Sequence, residues 1–254
     1  MNQSAKAARF HAQHVRGDPV ILFNIWDVGS AGAVAAAGAK ALATGSAPVA
    51  MANGFTDGEQ IPFEMALANV ARIVTATDLP VSMDLEGGYA SDPGKIGANA
   101  ARALETGVVG FNFEDQIVGG EGLYPVQQQA ERIRAVVGAC GGAGVAAFVN
   151  ARTDIFLKAA PDTHSDDMLS EAIARAAAYA DAGASGFFAP GLRDANMIGR
   201  LCEKVALPVN IIALPGTPDT KTLAGLGVAR ISYGPVPYKR MLNWLEDATR
   251  EALD

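Results

Sequence analysis

Val81-Ser82-Met83-Asp84-Leu85-Glu86-Gly87-Gly88-Tyr89 reads as a short apolar strand that ends in two carboxylates and breaks into glycines. A helical pattern, Glu64–Thr77, precedes it and another, Asp92–Thr106, follows; the second stops at Gly107, and a new apolar run begins at Gly110. Side chains alternate along a strand, so Asp84 and Glu86 are expected on one face and Leu85 on the other. Two acids side by side at the C-terminal end of a buried strand repel each other and lose hydration. A hard divalent cation, which takes oxygen ligands, relieves both costs. The stretch therefore points to a metal site at a strand end, and to an enzyme that uses it.

The same unit recurs along the chain. Apolar runs return about every thirty residues, the spacing of strand–helix units. Strands are expected at Val20–Asn24, Ala39–Thr44, Val81–Asp84, Gly110–Glu114, Ala146–Ala151, Gly186–Ala189, Val209–Ala213 and Val228–Ser232. Helical patterns between them include Gln127–Ala139, Ser165–Ala182, Asp194–Lys204, Thr217–Gly225 and Tyr238–Leu253. The phrase that joins helix to strand repeats as Ala36-Ala-Gly38-Ala, Glu105-Thr-Gly107-Val, Asp181-Ala-Gly183-Ala and Gly225-Leu-Gly227-Val. Glycine tolerates the left-handed conformation that ends a helix. Eight such units in 254 residues fit a single (β/α)8 TIM barrel over residues 1–254, with a helical extension at about 1–18. An open doubly wound sheet would call for a Gly-x-Gly-x-x-Gly turn after an early strand. None is present, and the glycine cluster Gly138–Gly144 precedes a strand instead of following one.

Composition narrows the function classes. Half of the residues are hydrophobic and only 19% are charged, enough for one well-packed core. The net charge of −7 leaves no basic stripe to neutralise phosphates, so nucleic acid is not expected as a partner. It also requires that an anionic substrate meet local positive charge, which a metal and a placed arginine would supply. Cys140 and Cys202 show neither a disulfide nor a zinc spacing. No apolar run reaches the length of a signal peptide or a membrane span, so a cytoplasmic protein without a membrane partner is expected.

In a barrel, the chemistry sits at the C-terminal strand ends. There the sequence offers Thr44-Gly45-Ser46, Asp84 with Glu86, Asn112 with Glu114, Asn150 with Arg152, and Asn210. The bland reading of Asp84, Glu86 and Glu114 is a polar network around Arg152; three acids together favour metal or catalytic duty. Arg152 suits bidentate binding of a substrate carboxylate. Asp57, in the loop Gly54–Glu59, taken alone is an ordinary turn residue. His11 and His14 fall in a polar N-terminal segment expected to cap or flank the barrel, and His164 falls in a loop after strand 5, where a solvated side chain is expected.

These pieces resemble the isocitrate lyase/phosphoenolpyruvate mutase superfamily. The resemblance rests on Asn24-Ile-Trp-Asp27, Ala43-Thr-Gly-Ser46, Asn53-Gly-Phe-Thr-Asp57-Gly-Glu59, Asp84-Leu-Glu86-Gly-Gly-Tyr89, Gly110-Phe-Asn-Phe-Glu114-Asp115 and Asn150-Ala-Arg152-Thr-Asp154, which run in family order. It implies that Asp57, Asp84, Glu86 and Glu114 hold Mg2+ (Mn2+ as the alternative), partly through water. It implies that Thr44, Gly45, Ser46, Asp84 and Arg152 bind the carboxylate and oxo group of a 2-oxo acid, and Asn210 is assigned to the same end. It also implies a homodimer or homotetramer in which the last helix is swapped between subunits.

One departure from the family matters. Its lyase members carry a Lys-Lys-Cys-Gly-His-like loop after strand 4, whose cysteine is an acid/base. Here the loop is Gln116-Ile-Val-Gly-Gly-Glu121-Gly-Leu-Tyr124-Pro125, with no Cys, Lys or His. Isocitrate or methylisocitrate lyase activity is therefore not expected, and the Lys/Asn loop of phosphonomutases is missing as well. Glu121 and Tyr124 join Arg152 as catalytic candidates, in the role of proton donor; the alternative is two solvated loop residues. The expected function is a Mg2+-dependent lyase, decarboxylase or hydrolase acting on a small 2-oxo or 2-hydroxy dicarboxylate through an enolate-type intermediate. The alternatives are C–P bond cleavage or rearrangement on a phosphonopyruvate-like substrate, and a barrel that binds a 2-oxo acid without catalysis.

Overall fold

A computed structural model describes residues 1–254. All eight strands are parallel and form one sheet in the order β1-β8-β7-β6-β5-β4-β3-β2. They are β1 Val20–Leu22, β2 Leu42–Ala43, β3 Val81–Asp84, β4 Gly110–Glu114, β5 Phe148–Arg152, β6 Gly186–Phe188, β7 Val209–Ile212 and β8 Arg230–Ser232. β1 and β2 meet only at the parallel bridge Ile25–Thr44, so the sheet is a nearly closed barrel. At that seam the Ile25 amide donates to Ala43 O at 2.9 Å, and the Gly45 amide donates to Ile25 O at 3.1 Å.

Ten α-helices surround the strands: α1 Gln3–Ala12, α2 Val28–Ala36, α3 Ser46–Ala52, α4 Phe63–Thr75, α5 Pro93–Glu105, α6 Val126–Gly142, α7 Asp166–Asp181, α8 Ala195–Lys204, α9 Thr220–Gly225 and α10 Val236–Leu253. Several begin on side-chain caps legible in the sequence: Asp92, Ser165, Asp194 and Asp219 each accept from a backbone amide three residues on. Helix α3 was not expected, because Ser46–Ala52 carries no amphipathic period and its N-cap is Gly45 without a side-chain cap. A Cβ at Gly45 would stand 2.9 Å from the Pro48 ring, so only glycine lets the chain turn from β2 into this helix. Helix α6 runs through Gly138 and Gly141 to Gly142, so the glycine cluster ends a helix before β5.

The core follows from alternation. Phe111 and Phe113 of β4 face the helix layer and are fully buried, while Asn112 and Glu114 face the barrel axis. Helix α1 closes the N-terminal end: Phe10 is fully buried and packs edge-on to Phe148. His14, in the segment expected to cap or flank the barrel, is buried and stacks on Phe148 with centroids 3.8 Å apart. Burial, with a contribution from the charge of Arg230, lowers its pKa to about 3, so it is a neutral packing residue. Cys140 and Cys202 are buried free thiols. No helix is long and apolar enough to cross a membrane.

Candidate active site

A cavity of about 260 Å³ opens at the C-terminal ends of the strands. Its lining includes Gly45, Ser46, Asp57, Asp84, Asn112 and Arg152, so four of the strand ends singled out from sequence converge there. Asp84 is seated by two neighbours from β2: its backbone amide donates to Thr44 Oγ1 at 3.0 Å, and its Oδ2 accepts from the Ser46 amide at 3.2 Å. Its other oxygen, Oδ1, is out of reach of solvent and has no hydrogen-bond partner. Burial raises the Asp84 pKa; Arg152 works against that and Asp57 adds to it. Behind Asp84 lies a crevice of about 10 Å³ where Thr44, Ser46, Asp84 and Glu86 meet, which leaves room for roughly one water-sized occupant.

Arg152 is held from three sides. Its Nε and Nη2 donate to the two oxygens of Asp154 at 2.6 and 2.9 Å, and Nη1 lies 2.8 Å from Glu114 Oε2. A guanidinium has five N–H groups, so two remain for a ligand. Its side chain is 13% exposed, enough to be touched from the cavity and too little to swing away. Burial drives the Glu114 carboxyl toward its neutral form, Arg152 opposes this, and the nearby acids reinforce it. Glu114 also accepts from Gln116 Nε2 at 2.6 Å.

Glu86 does something the alternation argument missed. The strand stops at Asp84, and Glu86 adopts a left-handed backbone with φ 53°. Its side chain therefore departs from the face of Asp84 and reaches the loop after β2. There Oε2 accepts from the amides of Gly58 (3.1 Å) and Glu59 (2.7 Å), while Oε1 accepts from the Tyr89 hydroxyl (3.0 Å). Glu59 Oε1 in turn accepts from the Tyr89 amide at 2.7 Å. Glu59, Glu86 and Tyr89 are the only non-glycine residues with positive φ in the chain, and they bond to one another. Strain of this kind persists where the surroundings over-determine it, and it clusters at ligand clamps. Burial, then the charge of Asp84, pushes the Glu86 pKa up to about 7. The clamp fixes the loop that carries Asp57, which is itself exposed at the cavity rim.

The four acids thus do not form one cage: no three acidic, His or Cys side chains converge as a ready cation site. The donor set nevertheless fits a hard cation. It is all oxygen, it includes a buried carboxylate oxygen without a partner, and the small void beside Asp84 and Glu86 brings Thr44 and Ser46 together with the two acids among apolar side chains. Mg2+ keeps several waters and takes few direct carboxylates, so a full protein cage is not required.

Three sequence candidates fall elsewhere. Asn210 is buried in the barrel lumen, where its amide donates to Ser232 and to backbone carbonyls and its oxygen accepts from Asn150; it lies below the cavity. Alternation placed it on the correct face, but depth along the strand is not encoded in that period. Glu121 is exposed in its loop, and the Tyr124 ring stacks under the Arg132 guanidinium at 3.8 Å; neither lines the cavity.

Other residues were missed. Arg230, fully buried in β8, donates Nη2 to Asn112 at 2.9 Å and leaves Nε and Nη1 without partners. Burial lowers its pKa to about 9, with the Asp84 charge acting against that. An arginine inside the apolar run Val228–Ser232 was its signal. Asp115, fully buried, accepts from Arg175 (3.1 Å), Tyr179 (2.8 Å) and the Asp154 amide (3.0 Å), and so fixes the partner of Arg152.

The parallel barrel and the acid-and-arginine cluster at its C-terminal mouth define a TIM-barrel protein of enzymatic type. The chain belongs to the phosphoenolpyruvate phosphomutase family, which it matches over residues 10–253, within the isocitrate lyase/PEP mutase superfamily of lyases and mutases. It is 45% identical to a candidate phosphonomutase from Burkholderia cenocepacia J2315, covering 99% of this chain and 100% of that one with a TM-score of 0.96. It is 35% identical over 246 residues to an uncharacterised protein of Mycobacterium tuberculosis H37Rv, covering 96% of this chain and 89% of that protein. It is 26% identical over 188 residues to the 2-methylisocitrate lyase of Escherichia coli K12, and that match spans 60% of the lyase's length.

Proposed function

We propose that this protein is a Mg2+-dependent carbon–carbon lyase that acts on a small 2-oxo or 2-hydroxy acid. The observation that carries the reading is the buried, unpartnered Asp84 Oδ1 beside an arginine with two N–H groups to spare. Family membership among lyases and mutases supports it. Asp84 would hold the cation directly, with Asp57, Glu86 and Glu114 acting through water or through the loops they fix. When bound, the cation would supply a Lewis acid to the oxo and carboxylate oxygens of the substrate. Arg152 would bind the same carboxylate and stabilise the negative charge that develops as the bond breaks. Glu114 and Asp154 keep Arg152 oriented for this, and Asp115 keeps Asp154 in place.

The test is to incubate the protein with Mg2+ and a panel of 2-oxo and 2-hydroxy acids and to follow release of a 2-oxo acid product. Turnover that chelation abolishes is the expected result. Folded protein with no turnover on any member would sink the lyase reading. C–P chemistry remains the second reading, favoured by the 45% identity to a candidate phosphonomutase; release or rearrangement of phosphonopyruvate would select it.

A homo-oligomer built through α10 is also proposed. Of its 18 residues only Pro237 and Tyr238 are buried, while Leu242, Trp244 and Leu245 are 42–67% exposed. An exposed apolar stripe of this kind marks an interaction surface. Light scattering should give a dimer or tetramer, and Trp244→Glu should lower that mass.

A further inference from the structure

The lining of the cavity changes character halfway around the barrel. The ends of β2 to β5 contribute its charged groups, Asp57, Asp84 and Arg152. The ends of β6 to β8, with the loop after β5, contribute Leu157, Phe188, Pro190, Ile212, Leu214 and Pro235. The polar side chains on that side are already used: Ser232 Oγ accepts from Asn210, and Asn24 Oδ1 accepts from the amides of Tyr233 and Gly234 at 2.9 and 2.8 Å. No Lys, Arg or His lines this half. Lys158 and Arg193 flank it in sequence but are absent from the lining, and Arg193 donates to Pro215 O at 2.8 Å; Arg230 is buried in the floor, where it donates to Asn112, and is absent from the lining as well.

A ligand anchored at Asp84 and Arg152 cannot extend downward, where the barrel floor of Asn112, Asn150 and Asn210 is closed, so any tail that stays inside the cavity meets that wall. A second carboxylate or a phosphonate placed against the wall would lose water and gain no counter-charge, which is strongly unfavourable. An alkyl or other uncharged group would instead bury its surface there. Resting on the anchoring role proposed above for Asp84 and Arg152, we propose that the substrate is a 2-oxo or 2-hydroxy acid whose far end is uncharged and apolar. This departs from the dicarboxylate expected from sequence. The wall is built for close approach: a Cβ at Gly191 would lie 2.7 Å from backbone atoms of Phe156 and Leu157, so glycine there lets the two loops meet and seats Leu157 at the rim.

The experiment is calorimetric binding in excess Mg2+ with three probes. Oxalate tests the anchor alone. 2-Oxoglutarate and 5-methyl-2-oxohexanoate test the tail, since they have the same shape and differ only in carboxylate against isopropyl. The expected result is that oxalate binds and the isopropyl compound binds about 10-fold or more tightly than 2-oxoglutarate. Leu157→Arg, a change at a 44% exposed position, should shift that ratio toward 2-oxoglutarate. Equal or tighter binding of 2-oxoglutarate, with oxalate still bound, would overturn the apolar-tail proposal and leave the anchor standing. Failure of oxalate itself would overturn the anchor and the tail proposal with it.

Discussion

The two halves of the barrel mouth were built by different rules. From β2 to β5 the charged side chains Asp84, Glu86, Glu114 and Arg152 are each held by other protein groups, with Asp84 Oδ1 and two N–H groups of Arg152 left over, and three residues hold strained backbone in the clamp around Glu86. From β6 to β8 the rim is apolar and shaped by proline and glycine, with its polar atoms bonded inward. The first half fixes chemistry, because charges must be positioned before they can act. The second half fixes shape. A superfamily that varies its substrates can alter the second half and leave the first intact, since an apolar wall tolerates exchange far better than a charge network does.

The contrast is broken most directly at Asp84. Asp84→Ala should lower affinity for oxalate with Mg2+ by about 100-fold or more, the size seen when one member of a preorganised electrostatic site is removed. Calorimetry reads it, and near-normal affinity would mean that the charged half is merely structural. Arg152→Lys comes next. A single ammonium has three donors and no planar fork, so it cannot hold Asp154 and Glu114 as Arg152 does and still offer two N–H groups to a ligand, and oxalate affinity should fall about 10-fold in a folded protein.

Glu86→Ala sharpens the comparison, because it separates a clamp from a ligand. It removes the acceptor of two loop amides and of the Tyr89 hydroxyl, so thermal unfolding should report a loss of about 1 kcal/mol. Proteolysis should increase at the loop Gly54–Gln60. Loss of Mg2+ binding as complete as that of Asp84→Ala would make Glu86 a direct ligand instead.

The raised acids give a pH signature. Glu86 moves from an ordinary 4.5 to about 7 on folding, so between those values the folded chain binds more protons than the unfolded one. Stability from this group is therefore present at low pH and is lost as pH rises from about 4.5 through about 7. Mg2+ favours the ionised form, so it should raise Tm more at pH 8 than at pH 5.5. A smaller rise at pH 8 would contradict a cation among these acids. The smallest effect belongs to the apolar half. Gly191→Ala should displace Leu157 and reduce the preference for an apolar tail by less than 10-fold, with oxalate affinity nearly unchanged. Titration of the three probes above measures it.

The sequence carried the barrel clearly, because period and punctuation recur in every unit. Seven expected helices and eight strands appear within a few residues of their predicted limits, and Gly38, Gly107, Gly183 and Gly227 all have φ near +90° as helix stops. Asp84, Arg152 and Ser46 reached the cavity as expected, because strand ends in a barrel share one mouth. What was hidden depends on conformations that no period signals. A left-handed Glu86 cannot be foreseen from residue type, and it redirects the acid from the cavity to a loop. Asn210 failed for a different reason: it is one layer too deep. Arg230 is a buried charge inside an apolar run, and Asp115 follows Glu114 at the end of a strand; the role of each depends on partners distant in sequence.

The seam between β1 and β2 links assembly to competence. Ile25–Thr44 is the single bridge that joins the first strand to the second, and Thr44 is also the residue whose hydroxyl receives the Asp84 amide. The amide of the next residue but one, Ser46, holds Asp84 Oδ2. The residue that closes the ring thus also helps to seat the central carboxylate. Hydrogen exchange at the Ile25 and Gly45 amides, set beside that of the Asp84 amide, would show whether ring closure and the seating of Asp84 share one opening event.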